Sequence, residues 1–111
     1  MKKLPKRLVI EVTDEIVAES HRLLNRPNCG LRSRSCPTAL ATKAKLAALG
    51  VEKPVVGTGY SETELLKDDA DGLQGVITDF SHSESLKRQI LRFDQGDGNF
   101  KPGRYVLTRR P

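Results

Sequence analysis

The stretch from Cys29 to Gly50, CGLRSRSCPTALATKAKLAALG, constrains the fold most, because it contains clear signals for both ends of a helix. Ser35 or Cys36 can act as the N-cap, and Pro37 falls near the first helical position, where its missing N–H costs no hydrogen bond. Gly50 suits the left-handed residue that follows the last turn of a helix. The stretch therefore predicts a helix that begins directly after a basic loop.

One side of this predicted helix is rich in alanine, and that side indicates how the helix packs. The residues expected on the packed side are Leu40, Ala44, Ala47 and Ala48, with Leu46 and Leu49 beside them. Alanine side chains let a neighbouring backbone approach closely, and helical spacing places these residues in one stripe. We therefore expect the helix to lie against a sheet, with Lys43 and Lys45 pointing away from it.

Strand and helix patterns alternate along the rest of the chain. Strand patterns cover residues 7–12, 53–60, 73–80 and 103–108, and helix patterns begin at Thr13 and within residues 81–85. Residues whose spacing predicts burial include Leu8, Ile10 and Val12 in the first strand and Leu86, Ile90 and Phe93 in the last helix. These periodicities indicate a sheet with helices packed on it.

Residues 61–72 fit two different structures. Ser61 and Glu64 have the spacing of a capping box, which predicts a short helix, and an extended hairpin arm is the alternative. The order of elements is thus β-α-α-β-(α or β)-β-α-β, after a frayed basic lead of residues 1–6. It predicts a single α+β domain over residues 1–111, in which a mixed or antiparallel sheet carries about two or three helices.

The composition excludes several classes of protein. With 111 residues, 37% hydrophobic content and two cysteines, the chain fits one domain and is not a disulfide scaffold. The charged start MKKLPKR lacks the apolar region of a secretory signal, and no run approaches the roughly 20 apolar residues that span a membrane. We therefore expect a cytoplasmic protein with reduced thiols and no membrane association.

The net charge of +5 is unevenly distributed along the sequence. Residues 1–50 carry ten Lys and Arg against four Asp and Glu, residues 51–85 carry two against eight, and residues 86–111 carry seven against two. Basic ends can pair with an acidic middle inside one molecule. The net charge is therefore by itself weak support for nucleic-acid binding.

The two cysteines do not form a recognisable metal motif. Cys29 and Cys36 enclose six residues, a wider gap than the two to four residues of a zinc knuckle. The two histidines, His21 and His82, are further possible ligands, and the sequence neighbours of both are typical of surface positions. We therefore predict neither a metal site nor a cofactor, and no disulfide in a reducing compartment.

Cys36 has the surroundings of a reactive thiol. A thiol at a helix N-terminus near Arg32 and Arg34 is expected to have a lowered pKa. A catalytic thiol also needs a positioned base, and the same element contains no histidine. We therefore interpret Cys36 as a buried capping residue, and keep a thiol enzyme that uses Cys36 as the minor alternative.

The basic loop GLRSRS is the best candidate for contact with a ligand. Guanidinium groups, hydroxyls and free N–H groups at a helix start suit phosphate or carboxylate. The residues predicted to bind are Arg32, Arg34, Lys43 and Lys45, with Lys87, Arg88 and Arg92 if the third helix lies on the same side. Exposed aromatic residues for base stacking are absent, since Phe80, Phe93 and Tyr105 occupy core-like positions.

Two short segments resemble those of a group of short uncharacterised bacteriophage proteins. They are Cys36-Pro37-Thr38-Ala39-Leu40-Ala41 and Ile90-Leu91-Arg92-Phe93-Asp94-x-Gly96. In that group a C-x-x-C-P-x-A-L-A segment and an R-F-D-x-G segment recur. This chain differs in its longer gap between the cysteines and its acidic insert around residues 67–72. The resemblance implies a phage or prophage origin, and it implies no catalytic residue.

These observations predict a non-enzymatic accessory protein of phage type. It would bind a host macromolecule stoichiometrically in the host cytoplasm, as a host-takeover or counter-defence factor. The alternative is a nucleic-acid-binding protein that uses the basic loop 30–36 and the basic faces of its helices.

Overall fold

The computed structural model describes residues 4–25, 35–68 and 74–110. In chain order the elements are β1 (Arg7–Val12), α1 (Asp14–Leu24), α2 (Pro37–Ala48), β2 (Val55–Thr58), β3 (Glu62–Asp68), β4 (Gln74–His82), α3 (Glu84–Gln95) and β5 (Gly103–Arg109). The predicted α+β class is confirmed, and the described part of segment 61–72 is strand rather than helix. No helix in these ranges is long and apolar enough to cross a membrane.

The strands form one antiparallel sheet in the order β1-β5-β4-β3-β2. β1 pairs with β5 over six residue pairs. β4 pairs with β5 over only three residue pairs, centred on Ser81 and Thr108. The sheet therefore consists of a two-stranded part and a three-stranded part that a short ladder joins.

The helices cover one face of the sheet and leave the other face in solvent. Burial alternates strictly along β1, because every second side chain of a strand points to the same face. The core side chains without any exposure include Leu8, Ile10, Leu46, Phe80, Leu86 and Leu107. The predicted buried faces of β1 and α3 are thus confirmed.

Helix α2 lies at the centre of the helical layer. It packs against both β1 and β2, which are the two edge strands. Strands lie about 4.8 Å apart, so a flat sheet of five strands would separate its edges by roughly 19 Å. A helix with its side chains is only about 10–12 Å across. The sheet therefore curls around α2, and the predicted packing of this helix on a sheet is confirmed.

The prediction of which side of α2 packs was wrong for its alanines, whereas Leu46 is buried as predicted. Ala44, Ala47 and Ala48 are exposed, and the buried residues are Pro37, Thr38, Ala39, Ala41, Thr42 and Leu46. The Thr42 hydroxyl donates to the Thr38 carbonyl oxygen at 2.7 Å. Because that bond satisfies the hydroxyl inside the helix, Thr42 packs its methyl group in the core at little cost. A pattern that counts threonine as polar misses this face.

The helix ends follow the predicted capping rules. The Thr13 hydroxyl accepts from the N–H of Ile16 at 3.1 Å, which caps α1. Beyond α2, Gly50 has a φ of +95°, and its N–H donates to Ala47 while the N–H of Val51 donates to Leu46, both at 3.0 Å. This pair of bonds is a Schellman motif. The predicted role of Gly50 is therefore confirmed.

Candidate binding surface and buried polar chain

The predicted binding residues are distributed over several parts of the chain. Cys29, Arg32 and Arg34 lie outside the described residues. Lys43 and Lys45 are half-buried on α2, whereas Arg88 and Arg92 are exposed on α3 and Lys87 is half-buried beside them. Among the described candidates, the structure brings Arg88 and Arg92 together in one groove.

A shallow groove of about 400 Å³ follows the exposed side of α3. Its lining residues are Arg88, Leu91, Arg92, Gln95 and Gly96. Leu91 is 44% exposed and lies beside Arg88, because residues three apart are neighbours on a helix. The groove therefore combines cationic side chains with an exposed apolar one.

The cations on α3 differ in how far they are already paired. Lys87 contacts Glu84 at 3.2 Å, and Arg92 contacts Asp97 at 3.2 Å. The hydrogen bond from Arg92, followed by the backbone N–H of Asn99, lowers the pKa of Asp97 to about 2. Arg88 forms no ion pair with any described residue. Arg88 is thus the α3 cation with the most freedom to meet an anionic partner.

A chain of polar side chains crosses the core on the inner face of the sheet. The Thr58 hydroxyl lies 3.1 Å from the Thr63 hydroxyl, and the Thr63 hydroxyl lies 2.6 Å from Nε2 of His82. Nδ1 of His82 lies 2.9 Å from the Tyr60 carbonyl oxygen. At the other end, the Thr58 hydroxyl hydrogen-bonds the Cys36 thiol. Residues from α2, β2, β3 and β4 thus form one network.

The Tyr60 carbonyl oxygen determines which group donates in each hydrogen bond of this polar chain from His82 to Thr58. A carbonyl only accepts, so Nδ1 of His82 carries the proton, and Nε2 of the neutral ring accepts from the Thr63 hydroxyl. Thr63 then accepts from Thr58. Burial lowers the pKa of His82, which favours this neutral form.

His82 corrects one expectation from the sequence. It was predicted at the surface, but it is only 7% exposed. Strand β4 continues through Ser81 to His82, so His82 shares the inner face with Phe80. The period-two pattern would have found this position had the strand not been ended at Phe80.

The pKa of the Cys36 thiol is raised, not lowered as the sequence indicated. Burial is the largest cause, and the charge of Asp94 acts in the same direction. The backbone N–H groups of Ala39 and Thr38 and the hydroxyl of Thr58 act in the opposite direction. The helix N-terminus thus has the predicted effect, but removal from water outweighs it.

The two segments that resemble phage proteins meet in space. Cys36, Pro37 and Thr38 at the start of α2 and Phe93 and Asp94 near the end of α3 line one small cavity of about 10 Å³. These segments therefore hold the start of α2 against the end of α3. Within the described part of the chain, no group of three or more His, Cys, Asp or Glu side chains is arranged to hold a metal ion.

No protein-family model matches this chain, and no curated protein or solved structure matches it at a significant level. The resemblance to short phage proteins therefore stays a prediction from the sequence.

Proposed function

We propose that the protein is a non-enzymatic binding protein that holds an acidic segment of another protein in the groove on α3. The observation that supports this proposal is the exposed Leu91, which lines the same groove as Arg88 and Arg92. A partner segment with an acidic residue next to an apolar one would complement all three side chains. Binding would be stoichiometric, since the groove offers contacts and no reacting group.

The apolar centre of the groove favours a protein partner over a nucleic acid. Leu91 gains free energy only if the partner covers it with apolar surface, and a phosphate backbone has none to offer. Guanidinium groups bind carboxylates in a bidentate manner, and Arg88 is the α3 cation that forms no ion pair with a described residue. The expectation that no aromatic residue is exposed was wrong, because Tyr60 is 52% exposed and lies near Lys87. Among the described residues that line the groove, however, none is an aromatic on which bases could stack.

The origin of the partner follows from the sequence resemblance. Small phage proteins often bind a host protein or nucleic acid, so the proposed partner is a host protein and the proposed role is host takeover or counter-defence. The proposed place of action is the host cytoplasm. These points depend on the resemblance and not on the groove.

Nucleic-acid binding is the second candidate, because Lys87, Arg88 and Arg92 share one helix. This candidate predicts affinity that falls steeply with salt, and an Arg88→Ala/Arg92→Ala variant with a flatter slope. A protein partner that also buries Leu91 depends less on salt. The two candidates are therefore separated by the salt dependence of binding.

The thiol-enzyme alternative gains no support from the surroundings of Cys36. The side chain is buried, at 9% exposure, and burial raises its pKa, whereas a nucleophilic cysteine needs access and thiolate character. A Cys29→Ser variant isolates Cys36 for labelling with iodoacetamide. We expect native labelling to be slower than labelling of the unfolded chain by about 100-fold or more.

A pull-down from host lysate tests the proposed function. The baits are the wild type, Arg88→Glu, Leu91→Lys and the control Arg22→Glu, which reverses an exposed arginine on α1. We expect one protein to be recovered despite nuclease with the wild type and the control, and lost with both α3 variants. Recovery that disappears with nuclease would favour nucleic acid, and recovery that both α3 variants retain would overturn the role of the groove.

A further inference from the structure

Strand β1 has one free edge. Among the described residues it pairs only with β5. An edge strand presents unpaired backbone groups to which another strand can bind, and natural proteins commonly protect such edges with lysine, proline or a bulge. Residues 7–12 contain neither lysine nor proline, and their register with β5 is unbroken. This edge is therefore suited to pairing.

The register of β1 with β5 shows which backbone groups are free. The N–H of Arg109 donates to the carbonyl oxygen of Lys6 at 2.7 Å. Hydrogen-bonded and non-hydrogen-bonded pairs alternate in an antiparallel ladder, so the even residues of β1 bond β5 and the odd residues direct their N–H and C=O groups away. The odd residues are Arg7, Val9 and Glu11, and all three are exposed.

We propose that β1 joins two copies of this chain as an antiparallel pair, with Val9 opposite Val9 of the second copy. In this register Arg7 lies opposite Glu11 of the second copy, and Glu11 lies opposite its Arg7. Opposite charges directly across an antiparallel pair stabilise it. The sequence RLVIE over residues 7–11 is thus complementary to itself in charge about its central valine.

The free backbone groups select this register over its neighbours. Inter-chain bonds form only where odd residues meet odd residues, and centring on Val9 pairs all three of them, with about six bonds. A shift by one residue places odd residues opposite even ones. A shift by two places Glu11 opposite Pro5, which has no N–H, or Arg7 opposite Thr13, beyond the end of β1.

The proposed dimer partly buries two exposed valines, Val9 and Val106. Val9 and Val106 are neighbours across β1 and β5, and they are 42% and 38% exposed. The pairing places the two Val9 side chains next to each other, so that four valines form one row across the joined sheets. Such β-branched cross-strand pairs stabilise a sheet. The solvent face of the sheet therefore contributes to the same contact.

Sedimentation equilibrium of the full chain at micromolar concentrations tests this contact. We expect a dimer for the wild type, and a dissociation constant raised more than about tenfold in Arg7→Glu and in Glu11→Arg, because each places like charges opposite each other twice. A mixture of the two variants restores both opposite-charge pairs and is expected to form a heterodimer. The control is Arg22→Glu, which changes the net charge by the same amount as Arg7→Glu but on the exposed side of α1, and leaves the dimer intact.

Circular dichroism shows that each variant is folded before its mass is measured. A monomeric wild type at all concentrations would overturn the proposal. So would dimers that Arg7→Glu and Glu11→Arg form as tightly as the wild type, since these would use another surface. A mixture that stays monomeric while the wild type is dimeric would overturn the register centred on Val9.

Discussion

Replacing His82 by phenylalanine tests the buried polar chain most directly. Phenylalanine keeps a planar ring in the core, but it cannot accept from Thr63 or donate to the Tyr60 carbonyl oxygen. Both of these bonds are short, at 2.6 Å and 2.9 Å. The His82→Phe variant therefore removes two hydrogen bonds while it leaves most of the packing in place.

The expected loss follows from where each released partner lies. Tyr60 is exposed, so its carbonyl oxygen can bond water instead. Loss of its hydrogen bond to His82 therefore costs about 0.5–1.5 kcal/mol of the free energy of unfolding. Thr63 is fully buried and can only turn its hydroxyl back towards Thr58, which makes its share about 1–3 kcal/mol. Together they lower the expected free energy of unfolding by about 1.5–4.5 kcal/mol near pH 8.

The pH dependence supplies a second signature of His82. Burial, opposed by the bond to Tyr60, lowers its pKa in the folded state below the ordinary value of 6.5. The unfolded chain therefore binds more protons as the pH falls below 6.5. The contribution of neutral His82 is complete above pH 6.5 and is lost as the pH falls towards the folded-state pKa. The free energy of unfolding of His82→Phe should not show this decrease with falling pH.

Urea unfolding at several pH values between about 8 and 5 measures both effects. Tyr60→Phe is the control, because only the backbone carbonyl of Tyr60 takes part. Thr63→Val should cost much less in the His82→Phe background than in the wild type, since its partner is already gone. Two results would refute the reasoning. One is a wild-type free energy of unfolding that does not decrease as the pH is lowered from 6.5, and the other is additive effects of His82→Phe and Thr63→Val.

The structure predicts the effects of three further substitutions, two on stability and one on a pKa. The buried Thr38 hydroxyl has no hydrogen-bond partner among the described residues, so Thr38→Val should raise the free energy of unfolding by about 1 kcal/mol in urea titrations. In Gly96→Ala the new Cβ would lie 2.7 Å from the carbonyl oxygen of Arg92, and thermal unfolding should show a loss of about 1–3 kcal/mol. Arg92→Ala removes the main cause of the low pKa of Asp97, which NMR titration should find raised from about 2 towards 3.8.

The elements of the fold could be predicted because their signals are local. The alternation in β1 and the capping residues of α1 and α2 depend on neighbours within four positions. The packed side of α2 was mistaken, because the burial of Thr42 depends on a bond inside the helix that a hydrophobic pattern does not encode. The strand in segment 61–72 was one of two alternatives, since its capping-box spacing also fits a helix.

The polar chain could not be predicted, because its members are brought together only by strand register. Thr58 and Thr63 are opposite each other across β2 and β3. The inner face of β4 then places His82 beside Thr63, and α2 brings Cys36 to Thr58. Each contact joins residues of different elements, and no spacing along the sequence indicates it. The same applies to the α3 groove, where Lys87 and Arg92 pair with nearby acids and Arg88 pairs with none of the described ones.

The buried chain and the two proposed contacts occupy different parts of one sheet. The polar chain connects α2 to β2, β3 and β4. Strand β1 instead pairs with β5, on which α3 packs, and the free edge of β1 is the opposite one. β4 and β5 join over three residue pairs, one of which is His82 with Leu107. Because His82 has its backbone in this short ladder and its side chain in the polar chain, it links the two parts. Dimerisation through β1 would then present two α3 grooves on one assembly, and a partner with two acidic segments would bind more tightly than one groove allows.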